Sequence, residues 1–149
     1  MKVHGKIATE SFLNGFNCAQ AIVSAFGPGM GISRDLTLKM TMGLGAGGNY
    51  NGKICGAVLG AYIILGLKYG SDIPNDKEQK ELVRTKLNSF TARFRKRFGS
   101  IECNELLQAD ISDPVALQRL RDEHVFQNFC KNLVHDAAVL VEEILSDEE

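Results

Sequence analysis

Four cysteines, Cys18, Cys55, Cys103 and Cys130, are the residues of this chain whose type and placement suggest shared chemistry. No two of them form a C-x-x-C pair. Each is followed, at the third and fourth positions, by apolar residues: Ala21/Ile22, Val58/Leu59, Leu106/Leu107 and Leu133/Val134. If these segments are helical, every sulfur lies on the stripe that faces the core, and four helices aim their thiols at one interior. Four thiolates are the usual ligands of an iron–sulfur cluster. Zinc also accepts four, although structural zinc sites usually show close cysteine pairs, which are missing here. Two of the thiols could instead exchange with a disulfide. Buried cysteine also behaves as a small hydrophobe, so a purely structural role predicts the same stripes.

Position along the helices adds to the chemical reading. Cys18 and Cys103 fall in expected first turns, and Cys55 follows Lys53 near another helix start. Helix N-termini favour thiolate, the form that binds metal and attacks disulfides. The histidines contribute less. His124 and His135 stand on either side of Cys130 without sharing a helix face with it, and both read as surface residues. His4 falls near what should be a mobile terminus.

Around Cys55 the chain is unusually bare. Gly56, Ala57, Gly60 and Ala61 are small residues at one-turn spacing, so one helix face is close to naked backbone. Interior glycine costs about 1 kcal/mol relative to alanine in a helix, so something must offset Gly56 and Gly60. Close approach of a second helix, or of a cofactor, would do so. Upstream, Gly43-Leu44-Gly45-Ala46-Gly47-Gly48 matches G-x-G-x-x-G, but no helix opens at Gly48 and no acidic residue follows at the ribose-binding distance. The stretch from Gly47 to Lys53 imitates a P-loop, yet Ile54 occupies the hydroxyl position that would ligate magnesium. The loop is better read as a flexible connection that packs over the cysteines, so that Gly47 and Gly48 would cover a cofactor to which the Gly56/Gly60 face gives room.

The elements that must position these residues are helical almost throughout. A first helix is expected over Lys6 to Leu13, and Asn17 caps a second from Cys18 to Phe26. Ser33 caps a third from Arg34 to about Met42, with Leu36 and Met40 on one face. The core helix carries the Cys55 motif and ends at Gly70. A long helix from Lys77 to Phe98 places Val83, Leu87, Phe90, Phe94 and Phe98 at steps of three and four. Ser100 is positioned to cap a short helix holding Cys103, and Asp113-Pro114 marks another start. The last helix covers about Phe126 to Leu145. The reading is all-α: residues 1–149 as a single-domain helical bundle of about five to seven helices.

Bulk properties narrow the classes. The 149 residues carry a formal net charge of −1, which gives no general attraction to nucleic acid or anionic membrane. The basic run Arg93-Phe94-Arg95-Lys96-Arg97-Phe98 reads as a solvated face, because its phenylalanines continue the buried stripe. The uncharged run from Ile54 to Leu67 falls short of the roughly 20 apolar residues a membrane helix needs. With no secretory pattern near Met1, the expectation is a cytoplasmic protein with reduced thiols. Self-association into a homo-oligomer is compatible with this composition.

Together these landmarks resemble the redox-active protein family C_GCAxxG_C_C. The matching stretches are Asn17-Cys18-Ala19-Gln20, Gly43 to Gly48, Cys55-Gly56-Ala57-Val58-Leu59-Gly60-Ala61, Leu65-Gly66-Leu67-Lys68-Tyr69-Gly70, Cys103-Asn104-Glu105-Leu106-Leu107 and Cys130. One departure is Ile54, where the family usually places a small hydroxyl residue. The resemblance implies an all-helical fold and redox activity. Some relatives join this domain to haem-attachment sequences, which points to electron transfer, but this chain has no C-x-x-C-H. The leading expectation is an electron-transfer module with an unidentified redox partner protein. In it, Cys18, Cys55, Cys103 and Cys130 hold an iron–sulfur cluster, with zinc or no metal as the alternatives. A thiol–disulfide oxidoreductase using one cysteine pair is the second expectation. A helical binding or scaffold protein with structural cysteines is the third. Whether the protein is an enzyme stays open at this point.

Overall fold

Asn17 starts the architecture that matters most. Its side chain accepts a hydrogen bond from the Gln20 amide at 2.8 Å, while the Gln20 side chain accepts one from the Asn17 amide at 2.9 Å. This reciprocal capping box satisfies two backbone donors that the helix cannot satisfy itself. Helix α2 (Cys18–Phe26) therefore begins at Cys18, preceded by α1 (His4–Leu13). The computed structural model describes residues 3–147.

A 3₁₀ turn (Gly27–Met30) ends α2 and leads to α3 (Arg34–Met40), capped by Ser33 as expected. The expected apolar face of α3 is not its packed face. Leu36 and Met40 are exposed, and Thr37 is the buried residue. Gly27 makes room for it, since a Cβ there would strike the Thr37 methyl. After a second 3₁₀ turn (Met42–Leu44) and the glycine loop come α4 (Gly56–Tyr69), α5 (Lys77–Phe98), α6 (Cys103–Leu107) and α7 (Pro114–Asp122). A π turn (Phe126–Cys130) then runs directly into α8 (Lys131–Ser146).

The all-α reading holds, with no strand among the described residues, but the helix count does not. There are eight α-helices among the described residues rather than five to seven. Each of the eight is read as a segment in the sequence, the short helix at Cys103 and the start at Asp113-Pro114 included, so only the stated total falls short. The core sits where α4 packs on α2, α5 and α8, with α1 laid across α2 and α8. Ala57, Val58, Ala61, Ile64 and Leu65 from α4 meet Phe90 and Phe94 from α5 and Leu133, Val134, Ala137 and Val141 from α8. No helix of the described residues is long and apolar enough to cross a membrane.

Two polar features correct sequence expectations. His4 is not a loose terminal residue. Its amide donates to the Glu142 carboxylate at 2.6 Å, its Nδ1 lies 2.9 Å from the same oxygen, and its ring stacks on Phe26 at 4.1 Å. Ser100 is not the cap of α6. Glu102 occupies that position, and the Ser100 hydroxyl instead accepts from the Glu102 amide and donates to Glu105. The basic residues of α5 do face outward, where Arg93 pairs with Asp147 at 3.0 Å and Arg97 with Asp136 at 3.6 Å on α8.

Candidate functional site

Three local devices bring the cysteines together. The first is the bare face of α4. A Cβ at Gly60 would stand 2.9 Å from Cβ of Ile22 and 3.2 Å from the Ala19 carbonyl. At Gly56 it would stand 3.2 Å from Cβ of Cys18. The glycines thus let the start of α4 cross the start of α2 at backbone distance, which sets Cys55 beside Cys18. Close approach of a second helix, one of the two uses expected for that face, is served by both glycines.

The second device is a single antiparallel bridge, Ile54 to Glu102. The Cys55 amide donates to the Ile101 carbonyl at 2.8 Å, and the Cys103 amide donates to the Lys53 carbonyl at 2.6 Å. Those bonds lock Cys103, the first residue of α6, against Cys55, the N-cap of α4. The residue that departs from the family pattern, Ile54, is therefore a bridge residue whose backbone does the holding. The third device is the π turn that ends in Cys130. One wide turn shifts the helical register there, a feature that recurs at functional sites.

The result is a cavity of about 720 Å³ whose wall includes Cys18, Cys55, Cys103 and Cys130. All four are free thiols, with Cys18 half-buried and the other three buried. Cys18 neighbours each of the others. Its thiol and that of Cys130 are within hydrogen-bonding reach, and its charge acts on Cys55 and on Cys103. Among the described residues, no three His, Cys, Asp or Glu side chains form a group that could hold a metal ion. The four thiols surround a space rather than a point.

The expected thiolate preference is reversed. The hydrogen bond with Cys130 and then burial raise the Cys18 thiol well above its ordinary value. Burial, followed by the nearby Cys18 charge, pushes Cys55 up to about 12. The amides of Ala57 and Val58 at the start of α4 act in the opposite direction and are outweighed. Burial, with the charges of Cys55 and Cys18, likewise holds Cys103 at about 12. The helix starts lie where the sequence puts them, but desolvation disfavours a lone thiolate by more than their dipoles favour it.

The glycine loop covers one side. Gly45, Ala46, Asn49 and Tyr50 line the cavity, whereas Gly47, Gly48 and Gly60 do not, and Gly56 does. Ala46 to Tyr50 are five consecutive residues with positive φ, between +50° and +83°. Each such L-residue costs roughly 1–2 kcal/mol, least for asparagine. The turn is closed by its own backbone: the Gly52 amide donates to Ala46 at 3.2 Å and the Lys53 amide to Gly47 at 3.1 Å. A Cβ at Gly47 would collide with the backbone of Gly52 and Lys53, so that glycine serves the fold of the loop. Asn17 ties the loop to α2 by donating from Nδ2 to the Met42 carbonyl at 3.0 Å. Backbone strain of this kind clusters at active sites, ligand clamps and switch regions.

Sequence reasoning missed the mouth. Arg121 and His124 line the cavity and are exposed, as are Leu13, Met42, Tyr50 and Gln127. Face arithmetic had separated His124 from Cys130, but the chain between them is a left-handed residue, with φ of +56° at His124, and a π turn. The phenylalanines Phe12, Phe16 and Phe126 complete the walls. His135 lies on the surface as read from the sequence, bonded to Asp136.

Residues 16–144 match the family model described as "Putative redox-active protein (C_GCAxxG_C_C)". The chain belongs to this family. The match begins just before Cys18 and closes beyond Cys130, so all four C_GCAxxG_C_C cysteines lie inside it. The family description gives redox activity and no finer chemistry. No curated protein and no solved structure matches the chain.

Proposed function

We propose that this C_GCAxxG_C_C protein is an electron carrier whose four cysteines form one redox centre and hold an iron–sulfur cluster. The observation that supports it most is that four cysteines distant in sequence, the chain's full complement, line a single cavity. A cluster takes its thiolates on several irons, whereas zinc draws four around one ion. Thiols spread around a wide space suit the former. Burial and the neighbouring thiols raise Cys18, Cys55 and Cys103, so the site favours a positively charged occupant that would replace their protons. When bound, the cluster supplies a one-electron couple. Cys18, Cys55, Cys103 and Cys130 would anchor it, the bridge at Ile54 would hold two of them in register, and the apolar walls would limit water. Purified without oxygen, each single Cys→Ser variant should lose visible charge-transfer absorption. Four spectra unchanged from the parent would reject the cluster.

The contact between Cys18 and Cys130 supports a second reading. In it, these two thiols give up two electrons and two protons to a disulfide substrate and become a disulfide themselves, while the substrate leaves as two thiols. Mass spectrometry after mild oxidation would then show a Cys18–Cys130 bond, and reductant would reverse it.

A further inference from the structure

The mouth of the cavity has a chemistry of its own. Among the described residues, its lining includes one permanent cation, Arg121, and one imidazole, His124, but no Asp, Glu or Lys. The neighbouring acids do not neutralise Arg121 from within, since neither Asp122 nor Glu123 lines the cavity, and Asp122 accepts a hydrogen bond from Gln118 at 2.9 Å. The guanidinium instead stands 5.5 Å from the centre of the Tyr50 ring, on the strained loop. That contact orients Arg121 while leaving its hydrogen-bond donors for another partner. Behind the mouth, Phe12, Phe16 and Phe126 are half-buried walls, and the buried thiols form the floor. The volume of about 720 Å³ falls within the roughly 300–1,000 Å³ of small-molecule pockets. Apolar walls with a few convergent polar groups are the usual make-up of such pockets.

The geometry points to a binding site for a small organic anion with a flat apolar body. Its carboxylate or phosphate head meets Arg121 and His124, and its body lies between Phe12, Phe16 and Phe126 above the thiols. The ligand would be the molecule that comes closest to the redox centre, and only that part rests on the function proposed above. Binding itself needs neither a metal nor electron flow. A neutral ligand would leave the cation of the wall unmatched, and a cation would meet Arg121 directly.

The test is calorimetric titration of the purified full chain with 2-naphthoate and 2-naphthyl phosphate, and with 2-naphthamide as the neutral counterpart. Iron and sulfide are measured on the same sample. At least one of the two anions should bind at one site per chain, and Arg121→Gln should weaken that binding tenfold or more. Arg121 is exposed, so the variant should fold, which circular dichroism checks. The amide should bind more weakly and equally to both proteins. His124→Gln should weaken the anion by a smaller factor. Failure of both anions to bind, equal anion binding to Arg121→Gln, or an amide that binds as tightly as the acid would overturn the proposal. Anion binding without iron or sulfide would leave this site standing while removing the cluster.

Discussion

Helix α4 joins two regions that are built on different terms. Towards its C-terminal half, Ile64 and Leu65 lie in the same closed core as Phe90 and Phe94, each with no exposed surface. There the rings pack edge to face and stacked, Tyr62 against Phe90 at 6.3 Å and Phe90 against Phe94 at 5.8 Å. The Tyr62 hydroxyl is satisfied by Thr91. At its N-terminal end, the same helix meets thiols, a loop of left-handed residues, an isolated bridge and a cavity. One region minimises voids and strain, and the other maintains both. The difference indicates that stability is supplied by the aromatic half, and that the cysteine half draws on it to keep an open, desolvated site.

Breaking the aromatic half should have the largest effect. Phe94→Ala should cost about 3–5 kcal/mol, as for other fully buried phenylalanines. Chemical denaturation would register that loss for the whole chain, including the site that depends on it. A loss below about 1 kcal/mol would mean that the two regions do not share one cooperative core.

The glycines of α4 sharpen the contrast. Gly60→Ala should destabilise by about 1–3 kcal/mol, because the added methyl is driven against Ile22 and the Ala19 carbonyl. For the proposed cluster, it should also lower the iron held per chain, since the same crossing places Cys18 beside Cys55. At Gly66, further along the same helix, an added Cβ meets nothing within 4 Å. Gly66→Ala should therefore stabilise by up to about 1 kcal/mol through helix propensity alone. Melting temperatures that move in the same direction for both variants would refute the assigned roles.

Asn17→Ala is expected to cost about 1 kcal/mol through loss of the cap. Its more informative effect is on the loop that Asn17 holds through the Met42 carbonyl. Faster amide exchange across residues 45 to 53, with α5 unchanged, would show that the cysteine half loosens by itself. The smallest effect is kinetic. In the metal-free reduced protein, Cys55 and Cys103, both held up to about 12, carry little thiolate at pH 8. Iodoacetamide should label them slowly there, faster as pH rises, and rapidly in denaturant, where thiols return to about 8.5. Fast labelling of the folded protein at pH 8 would contradict the burial argument.

These two regions also differ in how far the sequence discloses them. The Phe90–Phe94–Phe98 stripe, the Asn17 and Ser33 caps and the Gly99 stop are local signals, and the helices they announce are present. Family motifs and apolar spacing likewise single out Cys18, Cys55, Cys103 and Cys130, which the fold gathers around one cavity. What lies between them is not local. The Ile54–Glu102 bridge pairs residues far apart in the chain, and its register has no strand pattern to reveal it. The left-handed turn from Ala46 to Tyr50 includes alanine and tyrosine, residues that give no warning of positive φ. The π turn before α8 alters the face on which Cys130 lies, so His124 and Arg121 could not be assigned to the mouth by counting in helical steps. Thiol acidity was misread for a related reason. Helix starts are visible in sequence, whereas the depth at which they are buried is not.

The central claim is that the four thiols act as one centre, and the most direct test is composition. The protein, purified without oxygen and also after reconstitution with iron and sulfide, would be assayed for iron, zinc and acid-labile sulfide per chain alongside its visible spectrum. The account predicts iron and sulfide in matching amounts with charge-transfer absorption. Colourless protein that takes up neither iron nor sulfide on reconstitution would contradict it.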